Sequence, residues 1–157
     1  AALNAESKIP EWQRWNDFGI GLLRKAGGAQ LRQAEEAFKR VESMGRPDGP
    51  LNLARVYLAE GRVDKDAPDA LRRAQGFSPP AREWSVLWFT GLVNKQNGRL
   101  DEAIENFTKS AKIESWQPEV HRGITTNPSL VLLQRAKSMK MDPPGEDWSG
   151  VYQMQTK

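Results

Sequence analysis

The stretch WFTGLVNKQNGRLDEAIENFTKSAKI, residues Trp88–Ile113, decides the fold class of this chain. It predicts two helices joined by a tight turn. Gly91 falls in the first helix, Gly98 in the turn, and Ala103 and Phe107 one turn apart in the second. A small and a large residue four apart share one face of a helix. The same pair occurs twice upstream, as Ala34 and Phe38 and as Ala67 and Leu71. Seven residues after each small residue stand Val41, Ala74 and Ser110, again on that face. The copies begin 33 and 36 residues apart. A period of this size signals an array of stacked units.

The first helices of the units agree. They carry Phe18-Gly19, Leu53-Ala54 and Thr90-Gly91, and a Gly or Ala there lets the partner helix approach closely. Seven residues after Ala54 and Gly91 stand Gly61 and Gly98, suited to left-handed backbone at a helix end. Gly27-Gly28 is expected to serve the same purpose in the first unit, with a slightly longer connection. Pro47 and Pro79 close the first two units, where a helix should stop.

These residues resemble the tetratricopeptide repeat (TPR). That family has a large residue, a Leu-Gly-like pair, an aromatic, a turn glycine, then Ala, Phe, Ala and a closing Pro. Trp15, Phe18, Gly19, Leu22, Ala34 and Phe38 match in the first unit. Leu53, Ala54, Tyr57, Gly61, Ala67, Leu71, Ala74 and Pro79 match in the second, and Leu87, Gly91, Gly98, Ala103 and Phe107 in the third. The departures are Thr90 for Leu, Asn94 for the aromatic, Ser110 for Ala, and extra turn residues in the first two units. The resemblance spans residues 10–114 and implies an all-α, right-handed TPR-type superhelix of antiparallel hairpins. The bland alternative is a non-repetitive helical bundle.

Composition fits such an array. At 157 residues the chain has the size of one domain. Its apolar share is 38%, below the globular norm, which a repeat array tolerates because each unit buries only its neighbour-facing surfaces. The net charge of +3 is small, and acids alternate with bases, as in AEEAFKRVE and LDEAIENFTK. Such mixing marks solvated helix faces and argues against nucleic-acid binding, which needs segregated basic charge. The absence of cysteine excludes disulfides, thiolate metal sites and Cys-x-x-Cys-His haem attachment within this chain. No apolar run approaches the roughly 18–20 residues of a membrane span, and the N-terminus lacks a signal-peptide pattern. The abrupt start and polar end are those expected of a piece of a longer chain.

In order, residues 1–9 read as a flexible leader and 10–141 as the helical repeat domain. Its repeats cover about 12–46, 47–79 and 80–114. Trp12 is expected to cover the open end of the stack. A second helix is expected from Gln30 to Met44. Asp48 is a candidate N-cap for the next helix, and Asp64 or Asp66 for the one after, with Pro68 in its first turn. Ser115–Thr126 reads as a loop. Asn127-Pro128 is a good helix start, and the helix of residues 127–141 either caps the array or opens a truncated fourth repeat. Residues 142–157 form an irregular tail. Its Trp148, Val151 and Tyr152 suggest folding back, or entry into a neighbouring molecule's groove and so self-association. An unchanged mass by light scattering for a chain ending at Met141 would remove that idea.

A second resemblance rests on WQRWNDFGIGLL and GRPDGPLNLARVYLAEGR, through Trp12, Trp15, Asn16, Asp17, Gly19, Gly21, Asn52, Ala54 and Arg55. With the segment HRGITTNPSLVLL, these are similar to the TPR tails attached to some bacterial multihaem c-type cytochromes. That resemblance implies an exported or periplasmic protein whose haems sit on another segment, and a structural or oligomerisation role for this one.

TPR proteins bind peptides in a concave groove lined by the first helix of each unit. Carried over, the groove positions are Asn16, Ile20 and Arg24, then Asn52, Arg55 and Leu58, then Trp88, Leu92 and Lys95. Three cations, two amides and several apolar groups suit an acidic and apolar peptide. Trp88 and Arg55 are the expected hot spots; the competing readings make Trp88 repeat core and Arg55 a solvated surface group. The family's Lys and Asn two-carboxylate clamp is absent or altered, with Asn16 and Ile20 at its first two positions. A chaperone C-terminal tail is therefore not the expected ligand.

Catalysis finds no support in the sequence. His121 stands alone, without the Cys or acidic partners of a metal site or the base partner of a catalytic one. Glu35-Glu36 and Asp101-Glu102 fit exposed helix faces and a helix start. Gly27-Gly28 lacks the Lys-Ser/Thr of a phosphate loop. The expectation is a non-catalytic protein-interaction scaffold with no cofactor or metal. An enzymatic or small-molecule role would instead require a closed pocket with converging polar groups.

Overall fold

The computed structural model describes residues 8–25, 27–113 and 127–141. These residues form seven helices and no strand, so the fold class is all-α. The helices are α1 (Glu11–Lys25), α2 (Gly28–Ser43), α3 (Asp48–Ala59), α4 (Asp66–Gln75), α5 (Glu83–Gln96), α6 (Leu100–Ile113) and α7 (Pro128–Met141). Each packs on the next along the chain, and α1 also touches α3 and α3 touches α5. Loop residues Ser115–Thr126, with His121, and tail residues Trp148, Val151 and Tyr152 lie outside the described residues.

The small residues sit where two helices cross. A Cβ added to Gly19 would lie 2.6 Å from Cε1 of Phe38, and one added to Gly91 would lie 2.5 Å from Cε1 of Phe107. Both phenylalanines are fully buried. The middle unit uses a fully buried Ala54 with Leu71 in the same register. Side-chain volume is traded across the crossing: glycine faces phenylalanine, and alanine goes with leucine. Close-packed interiors enforce such matching.

The turns repeat as well. Gly61 (φ 74°) and Gly98 (φ 77°) are left-handed, as predicted. Arg62 N donates to Tyr57 O at 2.8 Å, and Arg99 N to Asn94 O at 2.8 Å, the helix-ending bond that such a glycine permits. The first unit differs from expectation. Gly27 is extended (φ −85°) and precedes α2 as its N-cap, while Gly28 is already helical, so neither takes the left-handed turn role.

Three local expectations also change. Pro47, not Asp48, precedes α3, and no side chain caps that helix; Asp48 lies in the first turn, 3.5 Å from Arg46. Lys65 precedes α4, and Asp66 in its first turn accepts from Arg62 Nε at 2.8 Å. Phe18, matched above to a repeat-core position, is 51% exposed. Its counterpart Leu53 is fully buried, because α3 has α2 beside it and α1 has no preceding helix among the described residues. Trp12 is half-buried with the Arg46 guanidinium over its ring at 4.1 Å. Asn127 does start α7 as expected: its Oδ1 accepts from Leu130 N at 2.9 Å.

Two apolar clusters form. One joins α1–α4 with Val93 of α5; the other joins Ala103 and Phe107 of α6 to Leu132 and Ala136 of α7, with Trp88 and Leu92 against it. Within the first, the buried Tyr57 hydroxyl donates to Glu35 Oε1 at 3.1 Å, and Arg62 lies over the ring at 4.3 Å. Burial, and then the Glu35 charge, push the Tyr57 hydroxyl up to about 12 from 10.0. Below pH 10 tyrosine is neutral in both folded and unfolded chain, and the stabilisation is complete. As pH rises through 10 only the unfolded chain ionises, so stability falls until about pH 12, by up to roughly 3 kcal/mol. Denaturant titrations at stepped pH should show this alkaline loss, and Tyr57→Phe should flatten it. An equal slope in both proteins would contradict the assignment.

Candidate functional site

The first helices of the units, α1, α3 and α5, lie side by side. The nine residues expected to face a ligand lie on them, and they are not equally available. Asn16 and Ile20 are half-buried, Arg24 is exposed, Arg55 and Leu58 are half-buried, and so are Trp88 and Leu92. Asn52 and Lys95, expected at a groove surface, are only 7% and 8% exposed.

Asn52 acts as a strut. Its Nδ2 donates to Asn16 Oδ1 at 2.8 Å, and its Oδ1 accepts from Arg55 Nη1 at 3.2 Å. The chain of three ties α1 to α3 and fixes the Arg55 guanidinium. A buried amide with both ends satisfied holds its neighbours in place. Arg55 is depressed from its ordinary value by burial and then by the positive charge of Arg24. Lys95 is depressed by burial and then by Arg135 of α7.

Two hollows open along these helices. One, of about 410 Å³, includes Asn16, Ile20, Asn52, Arg46, Pro80 and Ser85 in its lining. The other, of about 160 Å³, is lined by Leu58, Leu92, Lys95 and Gln96. Together they take in six of the nine expected residues. Arg24, Arg55 and Trp88 line neither. Trp88 packs against the α6–α7 cluster and meets Phe89 edge to face at 4.8 Å. Its Nε1 is buried without a hydrogen-bond partner among the described residues. Sequence reading missed Arg46, Ser85, Gln96 and Arg135, because these come from helix ends, a connection and a later helix outside the repeat positions.

Several cations away from this face meet carboxylates: Lys39 with Glu35, Arg62 with Glu35 and Asp66, Arg73 with Glu42, Lys109 with Glu105, and Lys140 with Asp101. Among the described residues no carboxylate is paired with Arg24, Arg55 or Lys95. Among those residues, too, no group of His, Cys, Asp and Glu is placed to hold a metal, and no helix is long and apolar enough to cross a membrane. Compared with protein-family models, curated protein sequences and solved structures, the chain matches none.

Proposed function

We propose that this chain is a non-catalytic interaction scaffold. Its units stack as a TPR-type superhelix, and α1, α3 and α5 grip a peptide bearing acidic and apolar side chains. The observation that carries the reading is Arg55 and Lys95, cations partly withdrawn from water on α3 and α5 with no carboxylate paired to either among the described residues, and the exposed Arg24 close enough to Arg55 to repel it. Partly buried positive charge without a counter-ion favours an anionic ligand, since the cations have lost water and gained nothing in its place. Leu58 and Leu92 beside Lys95 supply the apolar contact.

The test uses a fluorescent peptide alternating Glu and Leu. Arg55→Glu and Lys95→Glu should each weaken its binding by about 10- to 100-fold, the scale of one lost charge contact at an interface. Lys112→Glu, an equal charge change on α6 at an exposed site, should leave binding within about 2-fold; binding should also weaken as salt rises. Equal sensitivity to all three substitutions would reduce the effect to net charge and reject the site.

A further inference from the structure

The two junctions between units can be compared position by position. A shift of 33 residues carries Glu35, Phe38 and Glu42 of α2 onto Pro68, Leu71 and Gln75 of α4. A shift of 37 carries Gly49, Leu53 and Tyr57 of α3 onto Val86, Thr90 and Asn94 of α5, and Arg62 onto Arg99. The first junction is closed. A Cβ on Gly49 would lie 2.4 Å from the Glu42 backbone nitrogen, so α2 and α3 approach with no room to spare. Leu53 is fully buried, and Tyr57 fills the seam beneath Arg62 with its hydroxyl on Glu35.

The second junction is wedged and under-filled. Val86 stands where Gly49 lets the helices close. Thr90 and Asn94 replace Leu53 and Tyr57. Asn94 is drawn toward its own unit, its Nδ2 donating to Asn106 Oδ1 at 2.8 Å. Pro68 removes the carboxylate of Glu35. A hollow of about 360 Å³ results, with Leu71, Val86 and Val93 among its apolar lining and Asn94 and Arg99 among its polar lining. Among the described residues the Arg99 side chain pairs with no carboxylate and covers no ring. The hollow lies on the face of α5 opposite Trp88, Leu92 and Lys95, so it is separate from the proposed groove.

We infer that the α4–α5 seam is a receptor for a single aromatic side chain, tyrosine-like in size and polarity, inserted by a partner polypeptide beneath Arg99. The first junction shows how the same seam is filled when the ring is built in: apolar walls on both faces, a guanidinium over the π-surface, a polar tip at the rim. The second junction keeps the walls and the guanidinium and lacks the ring.

The probe is p-cresol, the isolated tyrosine side chain, titrated against the full chain and followed by methyl NMR. Saturable shifts at Leu71, Val86 and Val93 at millimolar p-cresol are expected. Asn94→Tyr, which supplies the ring in cis, should abolish them and raise the melting temperature. Arg99→Ala, at an exposed residue, should weaken binding several-fold without altering the melting temperature, so the inference stays testable if Asn94→Tyr fails to fold. No saturable shift, or shifts unchanged by both substitutions, would overturn it. Cyclohexanol binding as tightly as p-cresol would also overturn it, because the seam would then be a void without preference for a ring. Tighter p-cresol binding in the full chain carrying Trp148→Ala and Tyr152→Ala would show that the chain's own tail fills the seam, which rejects the partner as the source.

Discussion

Phe107→Ala should cost about 3–5 kcal/mol, the range for deleting a fully buried aromatic ring, and the damage should stay at one end of the chain. Phe107 is fully buried, and its cluster is made by α6 and α7 with Trp88 and Leu92 of α5 against it. The other cluster belongs to α1–α4 and takes only Val93 and Phe89 from α5. The seam between α4 and α5 is wedged by Val86 and hollow, so little apolar contact couples the two clusters there. In a linear array, stability is a sum of unit terms and nearest-neighbour interfaces. A loss of this size is a large part of the roughly 5–15 kcal/mol that holds a whole domain. Amide hydrogen exchange should therefore show α6 and α7 losing protection while α1–α4 keep theirs. Phe38→Ala, the matching change in the first cluster, should reverse the pattern. A uniform loss of protection in either variant would show that the clusters unfold as one.

The second large effect concerns the close approaches. Gly91→Ala places a Cβ 2.5 Å from Phe107 Cε1, a distance real contacts do not reach. Overpacking of this kind costs about 1–3 kcal/mol, offset by about 1 kcal/mol of helix propensity gained on leaving glycine. Phe107→Leu should relieve the clash, since the middle unit already uses Ala54 with Leu71. The double variant should be more stable than the sum of its parts predicts, by about 0.5–3 kcal/mol. Gly49→Ala should cost more than Gly91→Ala. Its Cβ would meet the backbone of Glu42, at 2.4 Å from N and 2.7 Å from Cα, and no rotamer change relieves a backbone clash. Urea titrations of the four variants give the comparison; simple additivity of Gly91→Ala and Phe107→Leu would mean the two residues do not share a crossing.

The helices, the left-handed turns at Gly61 and Gly98, and the meeting of small and large residues at Gly19 and Gly91 were legible in the sequence. Helix periodicity is local, a left-handed turn selects glycine, and a glycine in a helix facing a phenylalanine four residues past an alanine leaves a repeated mark. The nine expected ligand-facing residues came from the TPR resemblance; helical phase places those of each helix on a shared face, and all nine lie on α1, α3 and α5.

What each of those residues experiences was decided by the neighbouring elements. Lys95 reads as an exposed lysine until α7 brings Arg135 into its surroundings. Asn52 reads as a ligand contact until Asn16 and Arg55 take both ends of its amide. Phe18 reads as core, yet among the described residues no helix precedes α1 to cover it, and it stands half in water. The seam at α4–α5 was visible only as two odd letters, Thr90 and Asn94. That they leave a hollow depends also on Val86 holding the helices apart, a comparison with Gly49 that requires both interfaces in three dimensions. Sequence fixes which residues share a face because that follows from the backbone of one helix. Burial, charge environment and empty volume follow from what a second helix, 20–40 residues away, brings against that face.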